Sequence, residues 1–250
     1  MPTEHMFAEI NNERLLLDCA GAAYWPAEQT LIFADLHFEK GSSLAQRGAL
    51  LPPYDTRTTL RRMAALIDLY APSRVIALGD SFHDAGAADR LEREDQTMLS
   101  LQIARTDWIW IEGNHDPDPP GWLGGSVTRE LALGGLIFRH EPSAVVQPGE
   151  IAGHLHPCAT VTRHGRSLRR RCFAADSNRM VMPAFGAYAG GLSVGDEAIA
   201  SLFCGAFAAY MLGGRRVYAI AARGVPQLVR RKSADDNQPK IPAIATANNP

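Results

Sequence analysis

Six of the chain's eight histidines stand in five short clusters, three of which also hold aspartate or asparagine. Asp35 and His37 lie in "ADLHFEKG", and Asp80 and His83 in "GDSFHD". Asn114 and His115 lie in "EGNHD", His140 in "FRHEP", and His154 with His156 in "GHLHP". Imidazole and carboxylate donors together suit first-row divalent ions such as manganese, iron or zinc. Two pairs, Asp35/His37 and His154/His156, are spaced i, i+2. In an extended segment that spacing turns both side chains the same way, so a pair can clasp one ion or divide across two. Asp35, His37, Asp80, Asn114, His140, His154 and His156 are too many donors for one tetrahedral ion. With one bridging carboxylate they fit two ions sharing a site. A lone D-x-H or G-D carries almost no information; five clusters in series do.

Each cluster ends a short apolar run. "TLIFA" leads into Asp35, "RVIAL" into Gly79–Asp80, "DWIWIE" into Gly113–Asn114, "LIFR" into His140, and "EIA" into Gly153–His154. Apolar runs of this length, bounded by glycine or polar residues, read as buried strands. Between the early strands, 56–70 has Leu60, Met63, Ala64, Ile67 and Tyr70 near helical period, with Asp55 as an N-cap. A second helix is expected over 88–104. Alternating strand and helix predicts an α/β layout with parallel strands. After Val127 strand-like runs dominate, so a second, more antiparallel sheet is expected. The uncharged stretch 198–214 reads as a buried helix rather than a membrane anchor. In open α/β sheets ligands sit at the carboxyl ends of strands, which is where every cluster falls.

The bulk numbers narrow the partners. A chain of 250 residues with 46% hydrophobic content supports one sizeable core. We expect a single domain over 1–232 and a disordered tail over 233–250, where three prolines and no periodicity occur. The formal charge of −2 draws the whole molecule to neither nucleic acid nor anionic membrane, so any such attraction is local. The four cysteines form no C-x-x-C pair and the N-terminus has no apolar signal region, which fits a cytoplasmic protein.

The ordered series D-x-H, G-D, G-N-H-D, H, G-H-x-H resembles the calcineurin-like metallophosphoesterase superfamily. The matching residues are Asp35 to His37, Gly79–Asp80, Gly113 to Asp116, His140, and Gly153 to His156. The resemblance implies a four-layer sandwich, two mixed β-sheets packed face to face with flanking helices. It implies that Asp35, His37, Asp80 and His156 hold one ion. Asp80, Asn114, His140 and His154 hold the other, with Asp80 as the bridge. Two such ions clamp the attacking and leaving oxygens of an in-line displacement at phosphorus. His115 is then the residue that contacts the scissile phosphate and protonates the leaving group.

His83 narrows the substrate. Many members of the superfamily read G-D-x-x-D, and here His83 takes the place of the second acid. G-D-x-F-H resembles the SbcD-type repair nucleases, whose histidine helps to place a phosphodiester. Asp84, one residue later, is expected beside the ligands, orienting His115 or His83. The absence of an arginine after Asp84 argues against a protein phosphomonoesterase. Residues 24–60, "LGDSFHD", "GHLHP" and "MPAFGAYAGGLSV" resemble the ligase-associated DNA damage response phosphoesterase (PdeM) family. That resemblance implies a bacterial metal-dependent phosphodiesterase, encoded beside a helicase and an ATP-dependent DNA ligase, with a nuclease-like role in DNA repair as the expected function and DNA as a candidate substrate. It implies two divalent ions, manganese first, with iron or zinc as alternatives. The alternatives are a phosphomonoesterase, a small-nucleotide phosphodiesterase, or an inactive interaction module; the full set of donors argues against the last. Arg163, Arg166, Arg169, Arg170 and Arg171 are expected on a hairpin at the rim of the site, as contacts to a phosphate backbone or as a solvated face. Glu39 and Lys40 read as surface residues, and "MPAFGAYAGG" as a core-closing segment whose Phe185 and Tyr188 could edge the cleft.

Overall fold

The computed structural model describes residues 6–49, 51–52, 54–115 and 121–224. The expected tail over 233–250 and Asp116 lie outside them. The first sheet holds seven strands in sequence order: β1 (Met6–Ile10), β2 (Glu13–Leu17), β3 (Ala23–Trp25), β4 (Thr30–Ala34), β5 (Arg74–Leu78), β6 (Asp107–Ile111) and β7 (Ser126–Thr128). The first four pair antiparallel, and β4 to β7 pair parallel. Four helices punctuate it: α1 (Lys40–Gln46), α2 (Asp55–Tyr70), α3 (Ala87–Arg90) and α4 (Arg93–Ala104).

The parallel strands are covered on both sides, so they read as unbroken apolar runs. Their residues still alternate. Ile32, Ala34, Ile76, Leu78, Ile109 and Ile111 face the second sheet. Leu31, Phe33, Val75, Ala77, Trp108 and Trp110 face the helices. Helix α2 meets that outer face through Leu60, Met63, Leu66 and Ile67, all buried at helical spacing. Burial of each such side chain contributes about 1.5–3 kcal/mol. Asp55 does not cap α2: its Oδ2 accepts from the Gly41 amide at 2.8 Å, so it anchors the start of α1 instead.

The second sheet is built from β8 (Glu130–Leu133), β9 (Leu136–Arg139), β10 (Glu150–Ala152), β11 (Cys158–Arg163), β12 (Arg166–Ala175), β13 (Arg179–Val181), β14 (Ala206–Leu212) and β15 (Val217–Arg223). Its order is β15-β14-β12-β13-β10-β9-β8, with β11 paired on β12. Its parallel pairings are those of β10 with β9 and with β13. Its inner face, with Phe138, Ile151, Phe173, Met180 and Met182, completes the core shared with the first sheet. The result is the mixed two-sheet sandwich, with its helical layer heavy on the first sheet. On the second sheet the outer cover is the single turn α5 (Glu197–Ala200) with Leu202 and Phe203.

Two helix expectations are corrected. The helix over 88–104 is two, broken at Leu91–Glu92, where extended backbone intervenes. The stretch 198–214 is not a helix: after α5 it becomes strand β14, with burial alternating from Phe207 to Met211. Pairing with β12 on one side and β15 on the other supplies what the Ala-rich sequence does not. Among the described residues no helix is long and apolar enough to cross a membrane.

Candidate metal centre

Register brings the clusters together. Ala34, Leu78 and Ile111 are level across β4, β5 and β6, so the residues that follow them leave one edge of the first sheet side by side. Arg139 and Ala152 are level across β9 and β10, so His140 and Gly153–His154 leave the facing edge of the second sheet. The loops after β4 and β5 then run in parallel. The His37 amide donates to the Asp80 carbonyl (2.9 Å), Phe38 to Ser81 (2.8 Å) and His83 to Phe38 (3.0 Å).

The i, i+2 pairs are not extended. Asp35, His37, Asp80, His154 and His156 all have positive φ, between 45° and 67°. Left-handed backbone is uncommon for such residues and persists only where the surroundings enforce it. Here the enforcement is main-chain hydrogen bonding: the Gly186 amide donates to the Asp35 carbonyl (3.1 Å), and the His154 amide to the Asp35 carboxylate (3.0 Å). Gly79, also left-handed, lies flat under the His140 ring, where a Cβ would come within 2.5 Å of it. That ring is fixed by its Nδ1, 2.9 Å from the Leu78 carbonyl oxygen.

Two donor triads result, Asp35–His37–His156 and Asp80–His140–His154, each with its ligand atoms within 4.8 Å of one another. Asp35 and His37 share one triad, whereas His154 and His156 divide between the two. The nitrogens converge closely: His37 Nε2 is 3.3 Å from His156 Nε2, and His154 Nδ1 is 3.2 Å from His140 Nε2. Asp35 Oδ1 is 3.3 Å from His156 Nε2 and 3.8 Å from His140 Nδ1, while Asp80 Oδ1 is 3.3 Å from His140 Nε2. Each triad takes donors from both sheets.

These residues fit bound cations. Burial and the charge of His156 push the His37 imidazole down to about 2. Burial would lower His140 as well, but the bond to Asp80 and the charge of Asp35 outweigh it and raise it to about 9. Against the same burial, His140 holds the Asp80 carboxyl far below its ordinary value. His37 Nδ1 is buried without a hydrogen-bond partner. Converging imidazole lone pairs with two carboxylates 0% and 4% exposed need positive charge among them.

The other expected residues are placed unequally. Asn114 sits at the exposed edge of the second triad, and its amide donates to Glu141 Oε1 at 2.5 Å. That same oxygen is 3.6 Å from His154 Nε2. The His115 amide donates to Asp80 Oδ1 (2.9 Å), and its half-exposed ring places Nε2 3.9 Å from Asp80 Oδ2. His83 stacks on His115 with centroids 5.3 Å apart and stands edge-on to His37 at 5.6 Å. Asp84 is drawn elsewhere: it pairs with Arg90 at 2.8 Å and accepts from the Gly86 amide and from Ser43. Its carboxylate thus ties α3 to α1 rather than orienting His115.

The arginines split by strand alternation. Arg171 points inward and donates to the carbonyls of Ala184 (2.7 Å) and Gly186 (3.2 Å), and Arg169 donates to Gly191 (2.5 Å). They brace the "MPAFGAYAGG" segment, as does Arg62, which donates to Phe185 (3.0 Å). Arg163, Arg166 and Arg170 occupy the opposite face of the hairpin, as their pairing register requires. Phe185 is fully buried against Phe33, and the Tyr188 hydroxyl donates to Pro52, so the segment supports the Asp35 loop.

Sequence reasoning passed over two residues. Glu141 gave no signal beyond its place after His140. Lys40, read as surface, is half-buried, and burial lowers its pKa against the opposing pull of Asp35 and Asp80. Glu39 is also half-buried and bonds Thr56 through both amide and carboxylate.

No protein-family model and no curated protein sequence matches the chain. Among solved structures it is similar to the nuclease MPE of Pseudomonas putida, with a TM-score of 0.70 and 28% identity, covering 87% of this chain and 100% of that one. It is more distantly similar to YfcE, a phosphoesterase from E. coli (TM-score 0.40, 12% identity, 76% and 97% covered). A Vps29 mutant from Entamoeba histolytica is more distant again (TM-score 0.32, 15% identity, 78% and 98% covered). The two-sheet sandwich, the paired triads at its facing strand ends and the likeness to the Pseudomonas nuclease place the chain in the calcineurin-like metallophosphoesterase superfamily.

Proposed function

We propose that the chain is a dinuclear metal-dependent phosphodiesterase with a nuclease role in bacterial DNA repair, a member of the ligase-associated (PdeM) family. The observation that carries this is the pair of triads, each drawn from both sheets, with His115 and His83 stacked at their open side. Asp35, His37 and His156 would hold one cation, and Asp80, Asn114, His140 and His154 the other, with Asp80 shared. Bound cations supply Lewis acidity toward phosphoryl oxygens and a nucleophile at neutral pH. His115, anchored through its amide to Asp80 and open to solvent at its ring, holds a proton for the leaving oxygen. His83 has a buried Nδ1 without a hydrogen-bond partner and lends His115 a flat neighbour, which suits a diester with an ester group on each side. Lys40 adds positive charge beside Asp35 and Asp80.

The likeness to the Pseudomonas nuclease supports polynucleotide as substrate. Manganese is the proposed metal, with iron or zinc compatible with the same donors. Cytoplasmic location and action beside a DNA ligase and a helicase belong to the same proposal. The test is purified protein with manganese on chromogenic diesters and monoesters and on nicked and single-stranded DNA. Diesters and DNA should be cut, and Asp80→Asn should abolish cutting with loss of two-ion occupancy. Monoester cleavage alone, or a fully active Asp80→Asn, overturns the reading.

A further inference from the structure

The hairpins β11–β12 and β14–β15 stand side by side on the second sheet, and their residues 158–175 and 206–223 contain eight arginines and no aspartate or glutamate. In a chain of net charge −2 this is a strong local bias. Between the hairpins runs a groove of about 710 Å³, on the face turned away from the first sheet. Its floor is apolar: Val161, Leu168 and Tyr218 are 39%, 49% and 47% exposed, with Ile220 and Met211 beside them. Arg163 and Arg170 line it, Arg166 follows on the same strand face, and Arg215–Arg216 form the opposite tip. The Arg216 guanidinium lies 4.8 Å over the Tyr218 ring, a cation–aromatic contact at the groove's edge.

We propose that this groove binds single-stranded polynucleotide. Base faces pack on the apolar and aromatic floor while phosphates meet the arginine rim, the combination by which sequence-tolerant single-strand sites work. A duplex keeps its bases stacked inside and has no use for the floor. An acidic peptide would satisfy the rim, but the exposed apolar and aromatic floor of Val161, Leu168 and Tyr218 suits base faces rather than carboxylates. Of the five arginines between 163 and 171, those that meet nucleic acid are therefore Arg163, Arg166 and Arg170, whereas Arg169 and Arg171 brace the loop beside the metal centre. The site shares its ligand class with the proposed function, and is tested by binding alone so that the two can fail separately.

The full chain is titrated with fluorescein-labelled oligothymidylate in a chelating buffer, by anisotropy, over a range of salt. Wild type is expected to bind, with an affinity that falls as salt rises. Arg163→Glu with Arg170→Glu should weaken binding at least tenfold and flatten the log–log salt slope by roughly 1.4, about 0.7 for each phosphate no longer neutralised. Tyr218→Ala should weaken it roughly 5- to 150-fold. All three substitutions should leave manganese-dependent hydrolysis of bis(4-nitrophenyl) phosphate unchanged. The proposal is overturned if wild type does not bind, if the double variant binds as well as wild type, or if polyglutamate competes as effectively as oligothymidylate. A wild-type dimer that the same substitutions dissociate, without oligonucleotide binding, also overturns it and assigns the groove to a second copy.

Discussion

Gly79→Ala puts the most direct strain on the metal centre without touching a donor. The position has φ of +67°, and a methyl there would lie 2.5 Å from two atoms of the His140 ring. Ordinary contact begins at 3.4 Å, so the ring must retreat by about 1 Å. It cannot slide freely, because Nδ1 is held by the Leu78 carbonyl at 2.9 Å and Nε2 faces Asp80 at 3.3 Å. The left-handed backbone costs an alanine about 1–2 kcal/mol, and overpacking adds about 1–3 kcal/mol. Gly165→Ala is the control: φ is +73° there, but nothing lies within 4 Å, so only the backbone cost applies. We expect Gly79→Ala to lose about 2–5 kcal/mol in urea denaturation and Gly165→Ala about 1–2 kcal/mol. A shift of this size at a metal donor should lower diester hydrolysis roughly 100-fold. Metal content should fall from two ions toward one, while Gly165→Ala keeps both. If Gly79→Ala retains two ions and full activity, His140 is not fixed in the way described.

Three further outcomes are expected. Glu141→Ala removes the acceptor of the Asn114 amide, and removing a partner of this kind costs about 10–100-fold in metal affinity, readable as a higher manganese requirement for diester hydrolysis. His83→Asp should lower the ratio of diester to monoester hydrolysis; an unchanged ratio would show that His83 does not select the substrate. Glu150 and Arg179 are each 1% exposed and 3.3 Å apart, next to the strand that carries His140. Glu150→Gln leaves the Arg179 charge buried and should cost about 3–5 kcal/mol of unfolding free energy. A cost below about 1 kcal/mol would mean that the carbonyls of Ser143 and Val145 suffice for Arg179.

Much of the metal centre was legible because its parts are local. Each donor cluster is a few residues long and follows an apolar run, and parallel strands bring such ends level without further information. What depended on distant partners was not legible. "AIASLFCGAFAAYMLGG" has the composition of a helix, and only pairing with β12 and β15 makes its second half a strand. Glu141 is one acid among many until Asn114 is folded against it. Asp84 sits in the right motif, yet Arg90 and Ser43 claim it. The left-handed backbone at the donors was invisible, since aspartate and histidine do not announce it as glycine would. The arginines were the exception. Along β12 the division of Arg166 and Arg170 from Arg169 and Arg171 follows from strand alternation and could have been read from their numbering, whereas only the hairpin register sets Arg163 on the face of Arg166.

Both triads straddle the two sheets, and this sets an order on the birth of the protein. A ribosome releasing the chain from its N-terminus delivers Asp35, His37 and Asp80 long before His140, His154 and His156. The first sheet can close while each half-site still has no more than two of its donors. Neither triad is therefore complete until the second sheet docks, so the donor set that would hold each cation is the last part of the fold to be assembled.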